Sequence, residues 1–263
     1  MTSGKIKILS GWSAPGGSTT AFVNLCNLFN EKGLDCTFYG PHDWHLDKCQ
    51  AKTTKEFVLG EPEERIIAHF TRLPQKPDSS KKIILACHEK HLFPVKDIIP
   101  FWDEIVYVSN AQMFWQGVYG KVIPNVVTPL SKKRGKPKTA GIIGSIDKNK
   151  NTHESIRRAL ADGHDTVLLF GLVTDQEYWK LKIEKFVKEG KAILRGYEDD
   201  KQKMYDLLTD VYHSSFSETF NFIKFECEGA GVEYHGVKSA ESGAEVLSND
   251  EIFKLWENCL ELK

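Results

Sequence analysis

Apolar residues along this chain fall into short dense runs, separated by stretches where they recur at a longer period. Ile6, Ile8 and Leu9 make the first run, which predicts a buried strand over 6–9 breaking at Gly11 into a glycine-rich loop. Beyond Ser18 the period lengthens. Ala21, Phe22, Leu25, Leu28 and Phe29 share one helical face, Ser18 or Thr19 is placed to cap the start, and Gly33 stops it. Residues 36–39 supply a second strand. Strand, loop, helix and strand in that order predict a crossover and a parallel sheet. Further strands are predicted at 65–70, 82–87, 104–108 and 121–123, each short and bounded by polar or proline-containing segments.

Residues 128–138 carry no hydrophobic period and a dense positive run, which reads as a connector with solvated charges. The pattern then restarts: strand 139–143, helix 151–161, strand 166–170, helix 176–188, strand 192–194, helix 203–208 and strand 210–213. The expectation is α/β, with two Rossmann-like lobes built on parallel sheets and a cleft between them. The first lobe is expected at 1–130, a basic linker at 131–138 and the second lobe at 139–263.

Composition narrows the function classes. A length of 263 residues suits two modest lobes better than one core. With 41% hydrophobic and 27% charged residues the chain is of ordinary globular type, and a net charge of -1 gives no overall field toward nucleic acid, so no nucleic-acid partner is expected. Six cysteines are scattered without a C-x-x-C pair, so neither a zinc site nor a redox dithiol is suggested and a reducing cytoplasm is expected. No signal-type h-region and no apolar run of about 18 residues occurs, so no transmembrane segment is expected; peripheral membrane contact stays open.

The first loop, Gly11-Trp-Ser-Ala-Pro-Gly16-Gly17-Ser18, has P-loop spacing with Gly17 in place of the lysine. Without that cation a triphosphatase is discounted, and the missing G-x-G-x-x-G pattern discounts a dinucleotide fold. Two readings remain. The glycine amides before a helix N-terminus suit an anion, and an unliganded strand-to-helix turn needs the same glycines.

Several stretches, in order, resemble the family-4 GT-B glycosyltransferases. They are Pro15-Gly-Gly-Ser with the helix ending at Lys32-Gly33, Val106-Tyr-Val-Ser109, and Val122-Ile-Pro-Asn125-Val-Val, where Val126 stands in place of a glycine. In the second half, Gly144-Ser-Ile-Asp-Lys148-Asn-Lys150 resembles the family's phosphate loop, with Lys150 at its lysine and Ser145 where an arginine is usual. Gly171 fits a glycine turn, and Arg195-Gly-Tyr197 sits where the family packs the base. Glu218 and Glu226, with seven residues between them, match its E-x7-E signature within Ser217-Glu-Thr219-Phe220-Asn221. Were both helical, they would lie about 12 Å apart, too far for an acid/base pair and suited to gripping two ends of a long ligand. The tail departs from the family, with Glu233 replacing proline and Glu228 in a small or apolar place.

The resemblance implies a retaining, metal-independent transfer of a hexose from a nucleoside diphosphate sugar to a glycan, lipid or small-molecule acceptor. It implies Glu226 on the ribose hydroxyls, Glu218 on the transferred sugar, and amides near Phe220 and Asn221 toward the diphosphate. Gly16, Gly17, Ser145, Lys148, Lys150, Gly171, Tyr197 and Thr219 complete the implied donor site, with His88 as the acceptor-side histidine and no metal or other cofactor. Lys150, Glu218 and His88 form the implied catalytic set. The alternative is a nucleotide-sugar binder of the same fold without transferase activity, to which the departures at Ser145, Glu228 and Glu233 point. His69 reads as a strand-end residue, and His213 as a diphosphate contact or a structural group. The composition of His42-Asp43-Trp-His45-Leu-Asp47 is ligand-like, but its irregular loop favours acceptor-side surface over metal. Phe101, Trp102, Phe114 and Trp115 read as lobe packing.

Overall fold

The computed structural model describes residues 5–59, 64–69, 71, 82–90, 102–132 and 138–262. Phe70 at the end of an expected strand, His91, Phe101 and residues 133–137 of the basic linker lie outside that set. The chain divides into two compact units: unit 1, Met1–Val127 with Gly243–Lys263, and unit 2, Thr128–Ser242.

Among the described residues, unit 1 holds strands β1 (Ile6–Ser10), β2 (Cys36–Gly40), β3 (Ala51–Thr53), β4 (Arg65–His69), β5 (Lys82–Cys87), β6 (Glu104–Tyr107) and β7 (Lys121–Val122). They pair in the order β3-β2-β1-β4-β5-β6-β7, and every pairing is parallel. The short apolar runs seen in the sequence are strands buried on both faces, as parallel sheets require. The helix Gly17–Glu31 buries Phe22, Leu25, Leu28 and Phe29. Neither Ser18 nor Thr19 caps it: the N-cap is Gly16, with no side-chain bond, and the helix already begins at Gly17. Its end agrees with expectation. Gly33 takes φ 81°, and Leu34 N donates to Phe29 O at 3.0 Å.

The closing helix Asn249–Leu260 differs from the expected division of the chain. It buries Ile252, Trp256, Cys259 and Leu260 in the core of unit 1, with Trp256 edge-on to Phe29 at 6.2 Å. Arg65 of β4 fastens its end, donating through Nε to Leu260 O at 2.7 Å. Residues 243–263 therefore belong with the first sheet, whereas the sequence reading carried the second lobe to 263.

Unit 2 holds β8 (Ala140–Ile143), β9 (Val167–Phe170), β10 (Ala192–Gly196), β11 (Asp210–His213) and β12 (Glu233–Gly236). The order is β10-β9-β8-β11-β12, again wholly parallel. The helix Thr152–Ala161 packs Ile156 and Ala159 against Ala140, Val167 and Leu169. The expected helix at 176–188 is Gln176–Tyr178 and Glu184–Lys188 joined by a π turn, Trp179–Ile183. The one expected at 203–208 is Lys201–Tyr205, drawn earlier because Asp200 caps it by accepting from Lys203 N at 3.0 Å.

Candidate active site

In open parallel sheets, ligands sit beyond the carboxyl ends of the strands. In unit 2 that end carries the loops after β8, β9, β10 and β11, and most of the implied donor-side residues lie on them, with Gly16, Gly17 and Glu226 elsewhere. Lys150 comes from the loop after β8 and Glu218 from the loop after the adjacent β11. Their side chains meet at Lys150 Nζ–Glu218 Oε1 2.6 Å. His213, the last residue of β11, brings Nε2 to the same carboxylate oxygen at 3.0 Å. The two loops are tied by main chain, Phe216 N donating to Asn149 O at 2.9 Å.

Burial alone would raise the Glu218 carboxyl. The His213 hydrogen bond and the Lys150 charge outweigh it, and the pKa falls to about 2. Glu218 is thus an anchored anion beside one cation, which a ligand anion or a sugar hydroxyl could each engage.

Two glycines set the loop backbone. Gly171 follows β9 with φ +153°, and a Cβ there would lie 1.9 Å from Gly144 O. Gly144 itself has φ +122° and passes beneath the Lys150 side chain. Any larger residue at 171 would push the Gly144–Ser145 turn aside.

Other implied residues are placed less directly. Ser145 turns to Asp147, donating to Oδ2 at 2.6 Å, while Asp147 Oδ1 accepts from Lys150 N at 2.8 Å. Ser145 thus stabilises the turn that presents Lys150 and supplies no cation. Lys148 is exposed and pairs with Asp175 at 3.5 Å and Glu177 at 3.7 Å. Tyr197, just beyond β10, is 39% exposed.

The E-x7-E pair is not one helical face. Glu218 lies in a loop, and the helix begins at Phe222, so the spacing expected for two helical glutamates does not apply. Thr219 is half-buried in that loop, and Phe220 is buried against Phe222 and Phe225. Asn221 is the N-cap: Oδ1 accepts from Lys224 N, and Nδ2 donates to Tyr234 Oη at 2.7 Å and Ala240 O at 2.8 Å. Its amide is directed to Ser242 Oγ at 3.4 Å. Glu226, 3% exposed, has both oxygens engaged, Oε1 by the Lys201 ammonium and Oε2 by Tyr205 Oη at 2.9 Å. Lys201 and Tyr205 escaped the sequence reading. The signal was there, a Lys and a Tyr at i, i+4 behind an Asp cap.

Unit 1 carries Gly16, Gly17 and His88 at the carboxyl ends of β1 and β5. Beside them runs a hydrogen-bonded row, Ser10 Oγ to His69 Nδ1 at 2.9 Å and His69 Nε2 to Glu89 Oε2 at 2.9 Å. His88 packs against Phe22 with ring centroids 4.4 Å apart and planes tilted by 38°, and with Asn125, Pro124 and Trp256 it lines a small apolar pocket. Burial, with the neighbouring His69 charge, lowers its pKa to about 3 against the pull of Glu89. His45 is fully buried, bonded to Lys52 O at 2.9 Å, and serves structure. Of the aromatic series, Trp102 packs against the core as expected, whereas Phe114 is 85% exposed and Trp115 lies under the Lys90 ammonium.

No protein-family model matches the sequence, and no curated protein sequence matches it. Solved structures do match. HepE of Anabaena, solved with UDP and glucose, superposes with TM-score 0.68 at 14% identity, covering 98% of this chain and 90% of that one. A variant of S. aureus TarM, solved in a complex that includes UDP, gives 0.72 at 10% identity over 98% and 92%. AviGT4, a glycosyltransferase involved in avilamycin A biosynthesis, gives 0.63 at 13% over 97% and 92%. The chain has the GT-B glycosyltransferase fold. At such identities the likeness speaks for the fold, and the chemistry must be argued from the residues. In this GT-B chain no helix among the described residues is long and apolar enough to cross a membrane.

Proposed function

We propose that this chain is a retaining glycosyltransferase that moves a hexose from a nucleoside diphosphate sugar to a glycan, lipid or small-molecule acceptor, without a metal. The observation that carries the reading is the Lys150–Glu218–His213 cluster at the carboxyl end of the second sheet. HepE, of the same fold, has been solved with UDP-glucose, which supports a uridine nucleotide as the donor to try first.

In this mechanism Lys150 exchanges Glu218 for the departing diphosphate, and its charge stabilises the leaving group as the glycosidic bond breaks. Glu218, still ionised and held by His213, accepts hydrogen bonds from the sugar hydroxyls. The acceptor hydroxyl attacks from the face the diphosphate leaves, and its proton passes to a leaving phosphate oxygen. Glu226 takes the ribose once Lys201 yields one carboxylate oxygen. Gly16 and Gly17 contribute amides, and His88, held neutral, serves the acceptor side. All six cysteines are free thiols, which accords with work in a reducing cytoplasm.

A second reading rests on a specific observation. Ser145 is spent on Asp147 and Glu226 is already paired with Lys201, so a binder without turnover fits these two positions. Incubation with UDP-glucose and an acceptor panel separates the two. Time-dependent release of UDP, with an α-linked product by NMR, supports transfer; saturable binding with no release supports the binder.

A further inference from the structure

A different group of side chains lies at the opposite, amino ends of β11 and β12. Asp210 opens β11 and pairs in register with Glu233, which opens β12; Tyr212 pairs likewise with His235. Alternation along a strand puts Asp210 and Tyr212 on one face, and Glu233 and His235 on the same one. His235 Nε2 lies 2.9 Å from Asp210 Oδ1 and 3.9 Å from Glu233 Oε1, and the three donor atoms all fall within 4.8 Å of one another. Among the described residues this is the one group of histidine, cysteine or carboxylate donors so arranged.

Its members are held from behind. The His235 ring stacks on Tyr212 at 4.4 Å with planes 10° apart, and its carbonyl accepts from Arg158 Nη1 at 3.0 Å. Thr209 Oγ1 donates to Asp210 Oδ2 at 2.6 Å, leaving Oδ1 turned to His235. The buried His164 adds an imidazole whose Nε2 is 3.8 Å from Asp210 Oδ2.

We propose that Asp210, Glu233 and His235 bind a divalent transition-metal ion of the zinc type, apart from the donor-side cluster. Zinc bonds of about 2.0–2.2 Å to nitrogen and oxygen place tetrahedral donors about 3.3 Å apart, within the span these atoms already cover. One imidazole and two carboxylates suit zinc or a neighbouring first-row ion and leave a fourth position for water. Binding uses the lone pair of a neutral His235 at Nε2, with the ring proton on Nδ1, so the metal replaces the hydrogen bond to Asp210. The hydrogen bonds from Thr209 and the stack on Tyr212 are the kind of outer contact that fixes ligand orientation. The ion would clamp two neighbouring strands at the edge of the second sheet.

Calorimetry and thermal shift of the full chain with Zn2+ test this, alongside Glu233→Gln and His235→Gln. Glu233 is a largely exposed side chain, so its variant keeps the fold, and circular dichroism without metal checks both. The expected result is one saturable Zn2+ per chain that raises Tm, with affinity reduced about tenfold or more in each variant. Cobalt substitution should give the intense visible bands of a tetrahedral site, lost in His235→Gln. No stoichiometric binding, or binding unchanged in both variants, overturns the proposal and leaves His235–Asp210 as a plain ion pair.

Discussion

Glu218 in the second unit and His88 in the first are both taken out of water, and the two environments drive them to opposite charge states. Burial disfavours charge on each. At Glu218 the His213 bond and the Lys150 ammonium reverse that penalty, so the carboxylate stays ionised down to about pH 2. At His88 the neighbouring His69 adds to the penalty, and the imidazole stays neutral down to about pH 3. The lesson is that burial sets the stakes while partners decide the outcome. The carboxylate at one sheet end is held charged by its partners, and the imidazole at the other is held neutral.

That contrast can be broken experimentally. The largest effect is expected from Lys150→Ala, which removes the cation. Turnover should fall by about 100- to 1000-fold, the scale found when one group stabilising a developing anion is lost. An unchanged kcat would take Lys150 out of the chemistry.

Next comes the acid limb of stability. Glu218 has a folded pKa below its ordinary 4.5, so its contribution is present above pH 4.5 and is lost as pH falls toward 2. The shift corresponds to something on the order of 3 kcal/mol. Urea denaturation across that window should show the loss in the wild type and a flatter curve in Glu218→Gln.

Gly171→Ala tests the scaffold under the cation. The new Cβ would meet Gly144 O at 1.9 Å in a backbone region hostile to side chains. A loss of at least about 1–3 kcal/mol is expected, together with weaker donor binding. Equal stability and affinity would show that the Gly144–Ser145 turn does not need this close approach.

The smallest effect lies at His88. Its folded pKa is below the ordinary 6.5, so stability present above 6.5 is lost as the unfolded chain takes up a proton on acidification. Between pH 6.5 and 5.5 that amounts to about 1 kcal/mol, which His88→Gln should abolish in a denaturation series. Parallel curves for the two proteins would mean His88 is not held neutral.

Much of the fold was legible because parallel strands buried on both faces leave dense apolar runs. Residues 6–9 and 82–87 show this, and each lies within a strand one residue longer or identical in span. The closing helix had readable signals in the Ser248–Glu251 capping box and the spacing of Ile252, Trp256 and Cys259. Where it docks was not readable, since its apolar stripe would suit either core. In the site, spacing named Glu218 and Glu226, yet their partners come from elements distant in sequence: Lys150 is 68 residues from Glu218, and Tyr205 is 21 from Glu226. The side-chain work of Asn221 was likewise out of reach, since Tyr234 and Ala240, which its Nδ2 joins, lie 13 and 19 residues on.

The central claim is that the second unit takes a nucleoside diphosphate sugar on Lys150. It is tested most directly by a thermal-shift titration of wild type and Lys150→Ala with UDP, GDP, ADP and their hexose conjugates. The account predicts saturable stabilisation of the wild type by one diphosphate and its sugar, much reduced in the variant. No stabilisation by any of them, or equal stabilisation of both proteins, would contradict it.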